Sequence, residues 1–348
     1  LYHTSAFCKI VPAFGFPFES CYTDDGAKTM KDQVIAVDLG GTQARAALCS
    51  PSGKILRRIA QSANTAGGVE AVYQSVVQVI RAVAPDFARV RGIGLGSPGP
   101  LDPWRGVILE ARNLADMIDF PMKARLENDF GVPAFIGNDA NLAALGEHRY
   151  GAGRGVAHMI YITISTGIGG GIIADNKLFL GWRGFAGEVG HQTIDINGPL
   201  CNCGNIGCLE QLAAGPALER AAREALYAGR ESKMRTMVDG KIEHVTGAII
   251  SRAAHDGDRL ANEIYQRAAL CYGLGLVNLL HSFDTELFVI GGGVALNVWD
   301  LIYPIMLATL QQHAFPSMSK DVRIVKAQLG DDAGLLGAAA LVLDNASS

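Results

Sequence analysis

The stretch QVIAVDLGGTQARAALCSPSGKILRRIA, residues 33–60, decides the fold. An apolar strand over Val34 to Val37 runs into a glycine turn and a second strand. A Ser-Gly turn at 52–53 then reverses the chain into a third strand. A helix is predicted over about residues 68–84. Residues 158–180 repeat the theme: HMIYITIS reads as a buried strand, TGIGGG as a glycine turn, IIAD as a second strand and KLFLG as a short third. Two copies of one hairpin opening imply a duplicated α/β unit. Between them RGIGLGSPGP reads as strand then loop, FPMKARLENDFG as a helix, PAFIGN as a strand and DANLAALGEHRYG as a helix opening at Asp139. This is α/β alternation. Beyond residue 215 helical patterns dominate, with strands at TELFVIGGG and VRIVKA and a closing apolar helix, AGLLGAAALVL.

A chain of 348 residues, 49% hydrophobic and 18% charged, can bury a large core and is long enough for two lobes. Its net charge of -4, with acids and bases interspersed, offers no basic stripe for nucleic acid and no polybasic segment for anionic lipid. Neither is an expected partner. No apolar run reaches the ~18 residues of a spanning helix. Residues 1–32 read as an N-terminal extension preceding the first strand, with Pro12 and Pro17 interrupting its only apolar run. Of seven cysteines, Cys8, Cys21, Cys49 and Cys271 are scattered, so no disulfide framework is visible and a reducing, cytoplasmic compartment is expected.

DLGGTQAR at 38–45 places an acid at a strand end and two glycines in a turn. The N–H groups of Gly40, Gly41 and Thr42 could face a phosphate while Asp38 holds Mg2+ through water; a plain hairpin turn has the same composition. STGIGGG at 165–171 repeats the geometry and VIGGGV at 289–294 adds a third glycine exit. Together they favour a nucleotide clasped between two lobes over structural turns. GNDAN at 137–141 sets Asp139 at a strand-to-helix junction. There an aspartate is either a simple N-cap or an ionised base that orients an alcohol for phosphoryl transfer.

His191, Cys201, Cys203 and Cys208 fall within eighteen residues, in GEVGH and CNCGNIGCLE. One imidazole and three thiolates complete a tetrahedral shell, which points to structural zinc; buried thiols beside a core histidine are the alternative. Glu188 and Glu210 flank these ligands and are suited to gripping sugar hydroxyls, or else are solvated surface acids.

DLGGT, GSPGPLD, GNDAN, STGIGGG, GEVGH and CNCGNIGCLE, in this order, resemble the ROK family of sugar kinases and repressors over about residues 33–345. The resemblance implies an actin-like ATPase (ribonuclease H-like) α/β fold, with two duplicated lobes around a central cleft and a zinc knuckle. Residues 33–143 plus 333–348 would form the small lobe and 144–332 the large one. It further implies ATP, Mg2+ and structural Zn2+ as cofactors, and transfer of the γ-phosphate to a hexose. Asp139 would be the catalytic base, with Asn113, Asn138, Glu188, His191 and Glu210 as sugar contacts and His191 giving one ring nitrogen each to zinc and sugar. Asp38, Gly40, Gly41 and Thr42 would meet phosphate and Mg2+. Thr166, Gly167, Gly169 and Gly170 would form the second phosphate turn, and Gly291, Gly292 and Gly293 would meet adenosine. Within the family the chain is most similar to bacterial glucokinases, although kinases for fructose, mannose, allose, N-acetylglucosamine or N-acetylmannosamine share the catalytic set and some relatives use polyphosphate. It carries ADMIDF at 115–120, expected as a loop near the sugar, where many glucokinases have a proline/glycine-tryptophan segment. The repressor branch is disfavoured because the 32 residues before the first strand show no recognition-helix pattern. A dimer or tetramer is the assembly the similarity suggests.

Overall fold

The computed structural model describes residues 31–346; the rest of the N-terminal extension, with Cys8 and Cys21, lies outside the described residues. Strands β1 (Gln33–Leu39), β2 (Gln43–Cys49) and β3 (Ile55–Ser62) form the expected meander, and α1 (Val69–Val83) follows. Next come β4 (Val90–Ser97), the short β5 (Leu101–Asp102), β6 (Val107–Ala111) and β7 (Met117–Phe120), then α2 (Met122–Phe130), β8 (Ala134–Asn138) and α3 (Asp139–Tyr150). The second half repeats the plan with β9 (Met159–Ile164), β10 (Ile168–Ala174) and β11 (Lys177–Leu178). A helical insertion comprises α4 (Leu209–Ala213), α5 (Gly215–Tyr227), α6 (Lys233–Met237), α7 (Gly247–His255) and α8 (Arg259–Phe283). It leads to β12 (Leu287–Gly291), α9 (Gly293–Asn297), α10 (Trp299–His313), α11 (Pro316–Ser319), β13 (Arg323–Lys326) and α12 (Ala333–Asn345).

The two main sheets have the same order, β3-β2-β1-β4-β8 and β11-β10-β9-β12-β13. They also share strand directions: the first three strands pair antiparallel, and the last two run parallel to the central one. The duplication read from the hairpins therefore extends through all five strands. Because side chains alternate along a strand, β1 serves two cores. Ile35, Val37 and Leu39 face the core shared with α1, while Val34 and Ala36 face a second core containing α12.

Each half ends in a helix that packs on the other half's sheet. α3, following β8, packs on β9 and β10; α12, following β13, packs on β1 and β4; and the two helices pack on each other. Their crossing needs glycine. A Cβ on Gly337 would lie 1.7 Å from the Leu142 carbonyl oxygen, and one on Gly146 would lie 2.3 Å from that of Ala333. The expected lobe boundary at residue 143 lies within the continuous helix α3. Both exchanged helices begin at the cleft, so two helix N-termini bring positive backbone character there.

Two local expectations are corrected. ADMIDF is not a free loop: Met117 is fully buried, and Met117–Phe120 is the edge of a third sheet, β5-β6-β7. The glycine turn at 165–171 is shorter than read, because strand β10 already starts at Ile168. Among the described residues no helix is long and apolar enough to cross a membrane.

Candidate active site

A cleft cavity of about 480 Å³ opens where α3, α12 and the turn before β10 meet. Asp38, Asp139, Thr166, Gly167, Gly169, Glu188, His191 and Glu210 line it. A second cavity of about 420 Å³ shares Ser165 and Thr166 with the first and is otherwise lined by residues of the helical half, among them Gly215, Glu219, Tyr265, Gly293 and Asn297. The Ser165–Thr166 turn thus lies between two adjoining spaces.

Asp139 is not the cap of α3. Asn138 caps it, its Oδ1 accepting from the N–H groups of Ala140 at 3.0 Å and Asn141 at 3.2 Å. Asp139, one residue later, accepts from Ala140 N–H through Oδ1, at 2.7 Å. Its carboxylate is open to solvent on the cleft side, yet protein surrounds it elsewhere. That desolvation raises its pKa to about 6, with the negative charges of Asp38 and Glu188 adding to the rise and the Ala140 N–H opposing it. The group stays mostly ionised at pH 7, as expected, although burial outweighs the helix terminus.

Glu210, on α4, accepts from the Ile168 N–H through Oε2 at 2.9 Å and lies under Gly167, where a Cβ would come within 2.6 Å of that oxygen. It fixes the turn as well as facing the cleft. The imidazole of His191 bridges two environments: Nδ1 is 3.6 Å from the Cys201 sulfur, and Nε2 is 3.8 Å from a Glu188 oxygen. The ligand atoms of His191, Cys201, Cys203 and Cys208 all lie within 4.8 Å of one another, with the Cys203 and Cys208 sulfurs 3.7 Å apart. Tetrahedral zinc with bonds near 2.3 Å places its sulfurs about 3.8 Å apart, so the donor set fits that ion.

Other expected residues fall outside the two cavities. Gly40, Gly41 and Thr42 form the β1–β2 turn, with Gly41 so close to Asn113 that a Cβ would stand 3.0 Å from the Asn113 carbonyl oxygen. Asn113 abuts that turn rather than lining the cleft. Asn138 spends its side-chain oxygen on the helix cap. Gly170 is a strand residue packed against Val189, and a Cβ on Gly292 would meet the Ile164 backbone at 2.2 Å. Gly291 faces the Tyr161 ring, so of the third glycine run only Gly293 opens onto a cavity. Gly170, Gly291 and Gly292 serve close packing.

The sequence reading missed Arg45, which lines the cleft and donates through Nε to Asp38 Oδ2 at 3.1 Å, with Nη2 on the same oxygen. Hairpin register could have found it, because Arg45 is directly opposite Asp38. Also missed were Asp331 and Gly334 at the start of α12. So was Glu147, a fully buried carboxylate accepting from the N–H groups of Ala152, Gln328 and Leu329. Glu147 staples the loop that carries Gly330 and Asp331 to the cleft.

Residues 34–345 match the ROK family. The chain belongs to the ROK family. The glucokinase of Thermotoga maritima is 34% identical over 312 residues, spanning 90% of this chain and 98% of that protein. A ROK glucokinase from Streptomyces griseus, solved with glucose and AMPPNP, superposes with a TM-score of 0.75 at 36% identity and covers 90% of this chain and 100% of its own. ROK repressors are similar too: the xylose repressor of Caldicellulosiruptor bescii is 34% identical over 256 residues, 74% of this chain and 63% of that protein. The actin-like ROK fold that the resemblance implied is the one found.

Proposed function

We propose that this ROK protein is a hexokinase-type enzyme that transfers the γ-phosphoryl group of ATP to a hexose, with D-glucose the favoured acceptor and glucose 6-phosphate the product. The observation that carries this is the state of Asp139. It is released from capping by Asn138, is ionised at neutral pH, and shares one cleft with Glu188, His191 and Glu210. In this reading Asp139 accepts the proton of the 6-hydroxyl as its oxygen bonds to phosphorus and the bond from phosphorus to the ADP oxygen breaks. Glu188, Glu210 and the Nε2 side of His191 hold the remaining hydroxyls. The nucleoside occupies the second cavity and its phosphates pass the Ser165–Gly167 turn.

Asp38 would hold Mg2+ through water, and that ion would supply positive charge against the phosphates. The Cys201, Cys203, Cys208 and His191 set would hold a zinc ion without an open position, so its contribution is to fix the His191 ring and the loops bearing Glu188 and Glu210.

The test is ADP release with Mg-ATP against glucose, mannose, fructose, allose, N-acetylglucosamine and N-acetylmannosamine, with polyphosphate as an alternative donor. Dominant glucose turnover supports the assignment in full. Dominance of another sugar keeps the reaction and changes the acceptor. Hexose binding without transfer from either donor refutes the kinase reading in favour of a sugar sensor, a reading the similarity to a xylose repressor keeps in view.

A further inference from the structure

We propose that Trp104, Trp182, Arg183 and Phe185 form a second sugar-binding subsite at the lip of the cleft, so that the enzyme also phosphorylates the terminal hexose of a disaccharide. The inference rests on the kinase reading above and goes beyond it to a longer acceptor.

Aromatic side chains are large apolar bodies that a folded protein ordinarily covers. The chain has three tryptophans, and two of them stand uncovered here: Trp182 is 89% exposed and Trp104 54%, with Phe185 at 37%. They belong to loops of the two different halves, and the loops touch. A Cβ on Gly184 would lie 2.4 Å from Pro103 Cδ and 3.3 Å from the Trp104 ring, so the absence of a side chain there lets the 181–186 loop close on the loop of the first half. Both loops are held. The Ala186 N–H donates to the Leu180 carbonyl at 3.1 Å, and the N–H groups of Trp104 and Arg105 donate to Asp102 Oδ1 at 3.0 and 2.9 Å. The Arg183 guanidinium lies 5.2 Å from the centre of the Trp182 ring and 5.7 Å from that of Phe185, which keeps N–H donors among the rings.

Continuity with the cleft decides the occupant. Phe185 precedes Glu188 by three residues, which puts their Cα atoms within about 11 Å, and Glu188 lines the cavity proposed for the hexose. The other loop leaves β4 at Ser97, which pairs with Asn138, the residue before Asp139. A hexose in the cleft that carries a second ring presents that ring to the lip. A pyranose has a C–H face that stacks on an aromatic ring and hydroxyls that accept from a guanidinium, and this lip offers both partners. Three rings around one arginine fall well short of the ~20 residues a side of a stable protein interface, which disfavours a second copy of the chain as the occupant. The chemical step is unchanged. The primary hydroxyl of the terminal ring loses its proton to Asp139, its oxygen bonds to phosphorus, the electron pair of the broken bond leaves on ADP, and the glycosidic bond stays intact.

The experiment compares wild type with Trp104→Ala, Trp182→Ala and Trp182→Phe. It measures Mg-ATP-dependent phosphorylation of glucose, maltose, cellobiose and the methyl α- and β-glucosides, together with sedimentation velocity. Wild type should phosphorylate maltose or cellobiose with a kcat/KM at least about tenfold above that of the methyl glucoside of the same anomer, because the second ring adds contacts that a methyl group lacks. Each alanine variant should lower kcat/KM for the disaccharide by about tenfold while glucose stays within about twofold, and Trp182→Phe should recover most of the loss by restoring a ring. Turnover of glucose but of neither disaccharide overturns the proposal and leaves the kinase reading standing. So does an equal loss on glucose and disaccharide, or a fall in sedimentation coefficient in Trp182→Ala, which would assign the lip to a second copy. A wild type that phosphorylates no hexose fails the kinase reading itself, and the proposal with it.

Discussion

Asp139 gives the sharpest test of the proposed mechanism, because a base with a raised pKa would leave a measurable trace on the rate. Desolvation pushes its carboxyl up to about 6 from the ordinary 3.8. If it is the base, kcat/KM for hexose follows its ionised fraction, roughly nine tenths at pH 7 and one tenth at pH 5, a drop of about tenfold. An aspartate with the ordinary value would stay about 94% ionised at pH 5, and the rate would barely move. Asp139→Asn should lower turnover by about 10²–10⁴ and abolish the acid limb, because the residual rate has lost the titrating group. Glu188→Gln, which removes one of the like charges, should move the limb to lower pH. The stability sign is also fixed. A carboxyl whose folded pKa is raised favours the fold fully below its unfolded pKa of 3.8, and that contribution is lost as pH rises through about 6. Asp139→Asn should therefore melt at or above the wild-type temperature at pH 7, which separates a catalytic loss from misfolding. The assay is direct quantification of ADP between pH 5 and 8 at constant ionic strength. A flat profile from pH 7 to 5 in wild type, or an Asn variant retaining wild-type turnover, refutes the role.

Three further outcomes follow from the packing. Cys203→Ser should remove about one equivalent of zinc by atomic absorption and raise the hexose KM more than it lowers kcat, because His191 and Glu188 lose their anchor. Gly337→Ala should destabilise the fold by about 1–3 kcal/mol in urea melts, since its Cβ would be driven into the Leu142 carbonyl at the α3–α12 crossing. Glu147→Ala should cost at least about 2 kcal/mol by the same measurement, as the N–H groups of Ala152, Gln328 and Leu329 would be left without their acceptor.

How much of this was legible in the sequence depended on how local the signal was. The hairpins could be read because period-two burial and turn residues lie within a few positions of one another, and the cysteine cluster because its four ligands fall in eighteen residues. The glycine runs were only half read. Composition says that a side chain is forbidden, but not whether a ligand or a neighbouring backbone forbids it. At Gly170, Gly291 and Gly292 the neighbour is protein. Arg45 was passed over because an arginine on a strand ordinarily faces solvent, and only cross-strand register shows it paired with Asp38. Nothing local marked Glu147 as buried, because two of its three partners lie 181 and 182 residues away.

The exchange of α3 and α12 was also illegible, and it explains why residues of both halves line one cavity. Asp139 begins a helix that packs on the second sheet, whereas Asp38 ends a strand of the first, and the Asp38 charge nonetheless reaches Asp139 and raises its pKa. A base belonging wholly to one lobe would move away from the other lobe's phosphate-binding groups whenever the lobes shifted. Here Asp139, the proposed base, sits on the helix that crosses between them, held at Gly146 and Gly337 against the helix whose start lines the same cavity. In the proposed mechanism this close backbone packing would also hold the base in line with acceptor and donor phosphate. A substitution that loosens the crossing should lower turnover before it unfolds the protein.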